Sequence, residues 1–345
     1  MSVRRSHERP VAPAGSGPAN VLITGGAGFV GMAIAEALLA RGQRAVLFAP
    51  APSPLAPMLA GSAIRFVAGD VRSSEDLGQV EALGISHIVH GAAITPDAGR
   101  ADDLAAIVTD VNVNGSRRVM ELARRLRPGR VVQLSSVAVY GEPADGGVRC
   151  FEEADAPVGT QSLYGRTKLA AEAAMREEAG GHDLSLSILR LGPVFGPWEI
   201  ASGSRPVVSP HCQVLASALR GEPCALPRAL QADWVYSRDL ADWIVTLLLE
   251  TGAVPPILNL GAGRISSVAD WCKALQVQLP SFAWRIDPDA PTIRSNYRQD
   301  RPPLCTGRLD ALHPGRRRTP LADTAADYLA WATETLPRET EDSMT

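Results

Sequence analysis

A chain of 345 residues, 46% hydrophobic and 21% charged, can hold one large or two modest domains around a buried core. A net charge of −3 and the lack of a basic, aromatic-interleaved stripe exclude nucleic acid as an expected partner, and "PGRRRTP" at 314–320 reads as a solvated loop. The longest strongly apolar run, "WIVTLLL" at 243–249, is far shorter than the ~20 residues of a membrane helix, so no membrane span is expected.

Residues 1–19 mix arginine, proline and small residues without an apolar core, and read as a disordered tail. From Asn20 the pattern changes. "NVLITGG" is an apolar run ending in glycines, and "FVGMAIAEALLARG" carries helical periodicity up to Gly42. "RAVLFA", "IRFVAGD" at 64–70 and "HIVHGAA" at 87–93 are further strands, with a short helix in "EDLGQVEALG" between the last two. A long helical stretch covers 101–127, then a strand at 130–136, an alanine-rich helix at 162–179 and a strand at 184–192. Apolar strands alternating with helices predict a doubly wound α/β fold, a parallel sheet covered on both faces.

Beyond Gly192 the alternation loosens. Only "SRDLADWIVTLLLE", "ILNLG" at 257–261 and the terminal "LADTAADYLAWATETL" look regular there. The expected organisation is a dinucleotide-binding domain over 20–192, a small irregular substrate lobe over 193–336 that returns elements to the sheet, and a tail over 337–345. Five scattered cysteines, odd in number and without a CxxC pair, suit reduced thiols in a cytoplasmic protein. Six histidines show no metal-ligand spacing, so no metal is expected.

"TGGAGFVG" at 24–31 sets Gly25, Gly28 and Gly31 between a strand and a helix. Such a turn lets backbone approach a pyrophosphate, and the helix N-terminus offers free N–H groups to it. The acid that usually binds the ribose hydroxyls of NAD should close the second strand, where Ala49 stands. Neither a carboxylate nor an arginine occupies that place, so NAD and NADP both stay open, with NAD favoured. Asp70, in "AGDV", is either a contact on the adenine side or a helix N-cap.

Of 34 basic side chains only two are lysine, Lys168 and Lys273. Lys168 follows Tyr164 by four residues in "LYGRTKL", which puts both on one helix face. A lysine ammonium one turn away should favour the phenolate of a tyrosine whose free pKa is near ~10, making it a usable acid–base group. Ser136, at the end of the strand in "LSSVAVYG", can hold and polarise a substrate oxygen.

Taken in order, "TGGAGFVG", "GDV", "HGAA", "VNVNGS", "SSVAVYG", "YGRTK", "LRLGPVFGP", "DWVYSRDLA" and "NLGAG" resemble the extended short-chain dehydrogenases/reductases, the NAD-dependent epimerase/dehydratase family, across about 20–335. The resemblance implies Ser136, Tyr164 and Lys168 as catalytic residues. It implies a cofactor lying along Gly25, Gly28, Phe29, Val30, Gly31, Asp70, Val71, Ala92, Ala93 and Asn112, with Tyr164 and Lys168 at its nicotinamide end. It also implies a homodimer through the helices at 102–127 and 162–179, whose alanine-rich faces would meet.

Three departures qualify it. Val137 and Ala138 replace the Asp-Glu pair with which the family's dehydratases eliminate water, so dehydration of that type is not expected. Pro193 and Ala232 replace an asparagine and an arginine that face a substrate diphosphate in relatives. Arg294, Arg298 and Arg301 then become candidates for a single carboxylate. The sequence therefore points to an NAD(P)-dependent oxidoreductase moving hydride at a hydroxyl or keto carbon of a sugar or sugar acid. The alternatives are a sugar or nucleotide-sugar epimerase using a transient oxidation and, from a different class, a non-catalytic dinucleotide sensor.

Overall fold

The computed structural model describes residues 17–335, apart from 60, 62, 97–102, 143–148, 155–159 and 296–298. The chain begins β1 (Asn20–Thr24), α1 (Phe29–Ala40), β2 (Arg44–Ala49), β3 (Ile64–Ala68), α2 (Ser74–Gly78), β4 (His87–His90), α3 (Ala105–Thr109), α4 (Gly115–Leu126), β5 (Arg130–Ser136), α5 (Leu163–Gly180) and β6 (Leu186–Leu191). It continues β7 (Val194–Phe195), α6 (Pro210–Leu219), β8 (Cys224–Leu226), β9 (Gln231–Ala232), β10 (Val235–Tyr236), α7 (Ser237–Leu249), β11 (Ile257–Leu260), β12 (Ser266–Ser267), α8 (Val268–Gln278), β13 (Trp284–Ile286), α9 (Gly307–Leu312) and α10 (Leu321–Thr335).

Seven strands form one parallel sheet in the order β11-β6-β5-β4-β1-β2-β3. Strand alternation sends Val21, Ile23, Leu47 and Val89 to one face, under α1 and α7. Leu22, Val46, Phe48 and Ile88 go to the other, under α2, α4 and α5. Because both faces are covered, the strands read as continuous apolar runs, which is why the sequence shows them so plainly. The fold is the expected Rossmann-like α/β sheet, and β11 returns from the C-terminal half to pair with β6.

Several expectations need correction. The helix expected over 101–127 is interrupted by a π turn at Asp110–Asn114 between α3 and α4. The C-terminal half holds two further full helices, α6 and α8, in stretches that read as irregular. Arg316 is not part of a solvated loop. It is buried, stacks 4.1 Å over Trp243 and donates to the Gly261 carbonyl at 3.0 Å. On α5, Ala171 and Ala174 are buried within the chain itself, while Ala170 and Ala173 stay exposed.

The largest correction concerns sulfur. Cys150 and Cys305 form a disulfide, with Cα atoms 5.3 Å apart, whereas reduced thiols were expected throughout. The bond sits on a small parallel bridge between Phe151 and Leu304, reinforced by the Cys305 N–H donating to the Phe151 carbonyl at 2.8 Å. It weakens the cysteine-based reason for a cytoplasmic setting. No helix among the described residues is long and apolar enough to cross a membrane.

Candidate active site

The site forms at the C-terminal ends of β1, β4, β5 and β6. At the end of β1 the chain turns through Gly25, whose φ of +69° is left-handed, and a Cβ there would lie 2.7 Å from the Ala92 nitrogen. Gly31 lets α1 approach the turn: a Cβ at that position would sit 2.5 Å from the Gly25 carbonyl oxygen. Gly26, which the motif reading passed over, is as tightly enclosed, by Ile23 and Leu47. The twelve-residue α1 begins after Gly28 with no side-chain cap, so the first-turn N–H groups of Phe29, Val30 and Gly31 keep the partial positive charge of a helix N-terminus. These residues fit a dinucleotide pyrophosphate.

Ala49 closes β2 and is buried, as the strand count implied. Of the two readings of Asp70, the helix cap is wrong. Ser73 caps α2, its Oγ accepting from the Asp76 N–H at 3.1 Å. The Asp70 carboxylate instead accepts from the Arg72 Nε and Nη2 at 3.0 and 2.6 Å, and this bonding holds its pKa below the usual carboxylate range. The Val71 side chain is core, against Gly115, while Ala92 and Ala93 lie half-buried just past β4. Asn112 is turned inward. Its Oδ1 accepts from the Ile94 N–H at 2.8 Å, and its Nδ2 donates to Thr167 Oγ1 at 3.0 Å, fastening the loop after β4 to α5.

Ser136, Tyr164 and Lys168 are brought together. Ser136 ends β5, and Ser162 caps α5, its Oγ accepting from the Gly165 N–H at 3.0 Å, so Tyr164 and Lys168 fall in the first two turns. The Tyr164 hydroxyl faces the side chains of Ser136 and Thr95, both of which pull its pKa down. Lys168 Nζ donates to the Leu134 carbonyl at 2.8 Å and lies 5.8 Å from the centre of the Tyr164 ring.

The electrostatics differ from the expectation. Burial raises the Tyr164 pKa, and the opposing pull comes from Thr95, the Arg205 charge and Ser136. Lys168 is itself held down to about 8 by desolvation, against the raising effect of Glu172. Its ammonium is therefore lost before a tyrosine with a raised pKa ionises, and the cation that still bears on the phenol is Arg205.

Arg205 lies against the start of α1, its guanidinium 5.5 Å from the centre of the Phe29 ring. Buried Glu199 holds it at 2.6 Å while also accepting the Ser209 N–H at 2.8 Å. The turn bearing Arg205 docks on the loop after β4, where the Thr95 N–H donates to the Ser204 carbonyl at 2.8 Å. Of the carboxylate candidates, Arg294 is exposed, and Arg301 is half-buried with its backbone N–H donating to the Gln231 carbonyl at 3.4 Å. Arg298 lies outside the described residues. Pro193 and Ala232 are both buried and bring no side-chain donor to the region.

Sequence reasoning also missed Glu172, although it continues the face of Tyr164 and Lys168 by one more turn. It is fully buried, paired with Arg190 at 2.8 Å and bonded by Ser135 Oγ. Arg190 reaches on to Tyr140 Oη at 3.0 Å, and Tyr140 donates to Asn259 on β11 at 2.7 Å. A cavity of about 330 Å³ bordered by Trp234, Tyr236, Asp239 and Arg264 includes none of these groups. No cluster of potential metal ligands occurs among the described residues.

Comparison with known proteins identifies the family. The model of the NAD dependent epimerase/dehydratase family matches residues 21–261. The chain is 30% identical to dTDP-L-rhamnose 4-epimerase of Burkholderia thailandensis over 294 residues, covering 74% of this chain and 80% of that protein. It is 31% identical to dTDP-6-deoxy-L-talose 4-dehydrogenase (NAD(P)(+)) of Kitasatospora kifunensis, covering 72% and 76%. MoeE5, solved in complex with UDP-glucose and NAD, superposes with a TM-score of 0.74 at 25% identity, covering 92% of this chain and 100% of MoeE5. Matched by the family model over residues 21–261 and by relatives over about three quarters of its length, the chain belongs to the NAD dependent epimerase/dehydratase family, as an NAD-using enzyme of the extended short-chain dehydrogenase/reductase type.

Proposed function

We propose that Ser136, Tyr164 and Lys168 carry out reversible oxidation of a ring hydroxyl of a sugar bearing an anionic group, and that Arg205 reads that group. The observation that carries the reading is the meeting of the Ser136 and Tyr164 hydroxyls beside Lys168, at the sheet end that holds the glycine turn. Residues 20–192 hold the cofactor, and 193–336 close over the substrate. Phe29, Val30 and Gly31 offer N–H groups to the pyrophosphate, and Gly25 and Gly28 allow its close approach. The backbone of Asp70, Val71, Ala92 and Ala93 lines the rest of the path, while Asn112 acts by holding the loop after β4.

NAD, when bound there, would supply the hydride acceptor for the substrate carbon. Tyr164, acting as the phenolate, takes the proton of the substrate hydroxyl as that carbon–oxygen bond becomes a carbonyl, and as the phenol returns it in the reverse direction. Ser136 donates to the same oxygen and keeps it in line with Tyr164. Lys168 anchors the nicotinamide ribose, and with its pKa near 8 it can pass a proton onward. Arg205 lowers the cost of ionising Tyr164. Val137 and Ala138 offer no group for eliminating water.

Epimerisation is a second reading, favoured by relatives such as UDP-glucose 4-epimerase of Azospirillum brasilense, 29% identical over 297 residues. There the oxidised carbon is reduced again from the opposite face, with no net consumption of NAD. Absorbance at 340 nm during turnover separates the two readings, because only the dehydrogenase accumulates reduced cofactor. UDP-hexoses, dTDP-6-deoxyhexoses and free uronates form the substrate panel.

Tyr164→Phe should lower turnover by about 10²–10⁴-fold with NAD affinity unchanged. A fully active variant overturns the assignment. Arg205→Gln should raise KM for the anionic substrate by about 10–100-fold, the value of a charge-assisted contact. A homodimer in a cytoplasmic setting belongs to the same proposal, and sedimentation reads its first half.

A further inference from the structure

His90 closes β4, is 3% exposed, and bonds through both ring nitrogens. Nδ1 lies 2.7 Å from Thr24 Oγ1, and Nε2 lies 2.9 Å from Ser116 Oγ. Elementary donor counting fixes every proton. Ser116 Oγ donates to the Asn112 carbonyl at 2.7 Å, and a carbonyl can only accept, so the single serine proton is committed there. Ser116 Oγ must then accept from the imidazole, which puts a proton on Nε2. Burial and the Lys168 charge push the His90 pKa to about 3, so the ring is neutral and carries that proton alone. Nδ1 is therefore bare, and Thr24 Oγ1–H donates to it. The Thr24 oxygen is left to accept from the Ala92 N–H, at 3.5 Å.

The chain of bonds continues past Asn112. The Asn112 side chain donates to Thr167 Oγ1, and Thr167 donates to the Tyr164 carbonyl at 3.0 Å. One directed path thus joins Thr24 and Ala92, at the glycine turn, to the first turn of α5.

We propose that His90, fixed as the neutral Nε2–H tautomer, is a positioning residue that holds the cofactor turn and the Tyr164–Lys168 helix in one register. It touches no reacting atom and acts through Thr24 on one side and Ser116 and Asn112 on the other. The inference rests on the reading of Tyr164 given above, and its first test does not depend on turnover.

Nitrogen NMR of the full chain labelled in histidine should show one ring, identified by its loss in His90→Gln, with a protonated Nε2, a bare Nδ1 and no titration from pH 5 to 9. A protonated Nδ1, or titration in that range, overturns the proposal. His90→Leu, assayed with saturating NAD at a temperature where it is folded, should lose about 10²-fold in kcat, as a misplacement of about 1 Å can cause, with KM for the sugar little changed. Glutamine, which offers an acceptor and a donor, should recover part of that loss. In a Tyr164→Phe background the leucine replacement should cost nothing further, and an additive loss there overturns the proposal. If His90→Leu does not fold, Thr24→Val and Ser116→Ala interrupt the path on either side, and unchanged kcat in both overturns it. Full activity of Tyr164→Phe alone would instead sink the catalytic assignment and leave the tautomer result standing.

Discussion

Two histidines of this chain are equally hidden and differently used. His90, in the sheet, and His211, in α6, are 3% and 1% exposed, and burial pushes the pKa of each to about 3. His90 has a partner on both nitrogens. His211 has none among the described residues; it stacks on Phe195 at 3.9 Å and meets Trp234 and Trp271 edge-on at 4.7 and 5.2 Å. Burial keeps both rings neutral, helped at His90 by the Lys168 charge, but only partners set an orientation. The sheet end fixes its groups by directed bonds, as a site that moves protons requires. The cluster around His211 fills space with rings, which hold shape without specifying where a proton sits.

Replacing each histidine with an apolar residue tests that contrast most strongly. His90→Leu should cost about 2–4 kcal/mol in urea unfolding, because it strands the buried Thr24 hydroxyl and leaves Ser116 without its donor. A loss under about 1 kcal/mol would break the contrast.

Acid should act on both regions together. Each folded-state pKa lies below the unfolded value near 6.5, so the unfolded chain takes up protons first as the pH falls. Stability is lost from about pH 6.5 down toward 3, at up to about 1.4 kcal/mol per pH unit for each ring. His211→Phe should remove one share of that slope. An unchanged slope between pH 6 and 4.5 would mean that His211 does not stay neutral when folded.

The smallest expected effect is that of His211→Phe at pH 7. No hydrogen bond is lost and a slightly larger ring enters the same stack, so stability should stay within about 1 kcal/mol of the parent. A larger loss would point to a bonding role for His211.

The same contrast explains what could be read from sequence. β1 to β6 were legible because strands buried on both faces print as unbroken apolar runs, and Gly25 and Gly31 because backbone contact demands them. Tyr164 and Lys168 were legible because one helix carries both. Arg205 was not: its place depends on Phe29, 176 positions away, and on Glu199, neither of which resembles an arginine site in sequence. α6 begins with Pro210 and His211 in a proline-rich stretch, and α8 is held against α10, so packing rather than local pattern defines both. The Cys150–Cys305 pair, 155 residues apart in an odd set of five, left no spacing to recognise. The hydrogen bonds of His90 were equally hidden, since Thr24, His90, Ser116 and Asn112 come from separate elements and meet only when the sheet closes.

Because Cys150 and Cys305 are joined, the polypeptide between them is a covalent ring. Tyr164, Lys168, Arg190 and Arg205 lie within it, while the glycine turn and Ser136 lie on the arm that enters it. A protease cutting once inside the ring, for instance in the exposed stretch at 201–204, opens it and releases nothing. The two pieces run as one species on a non-reducing gel and part only when a thiol is added. One scission and one reduction are both needed to separate the helix that carries Tyr164 from the C-terminal strands and helices packed beside it.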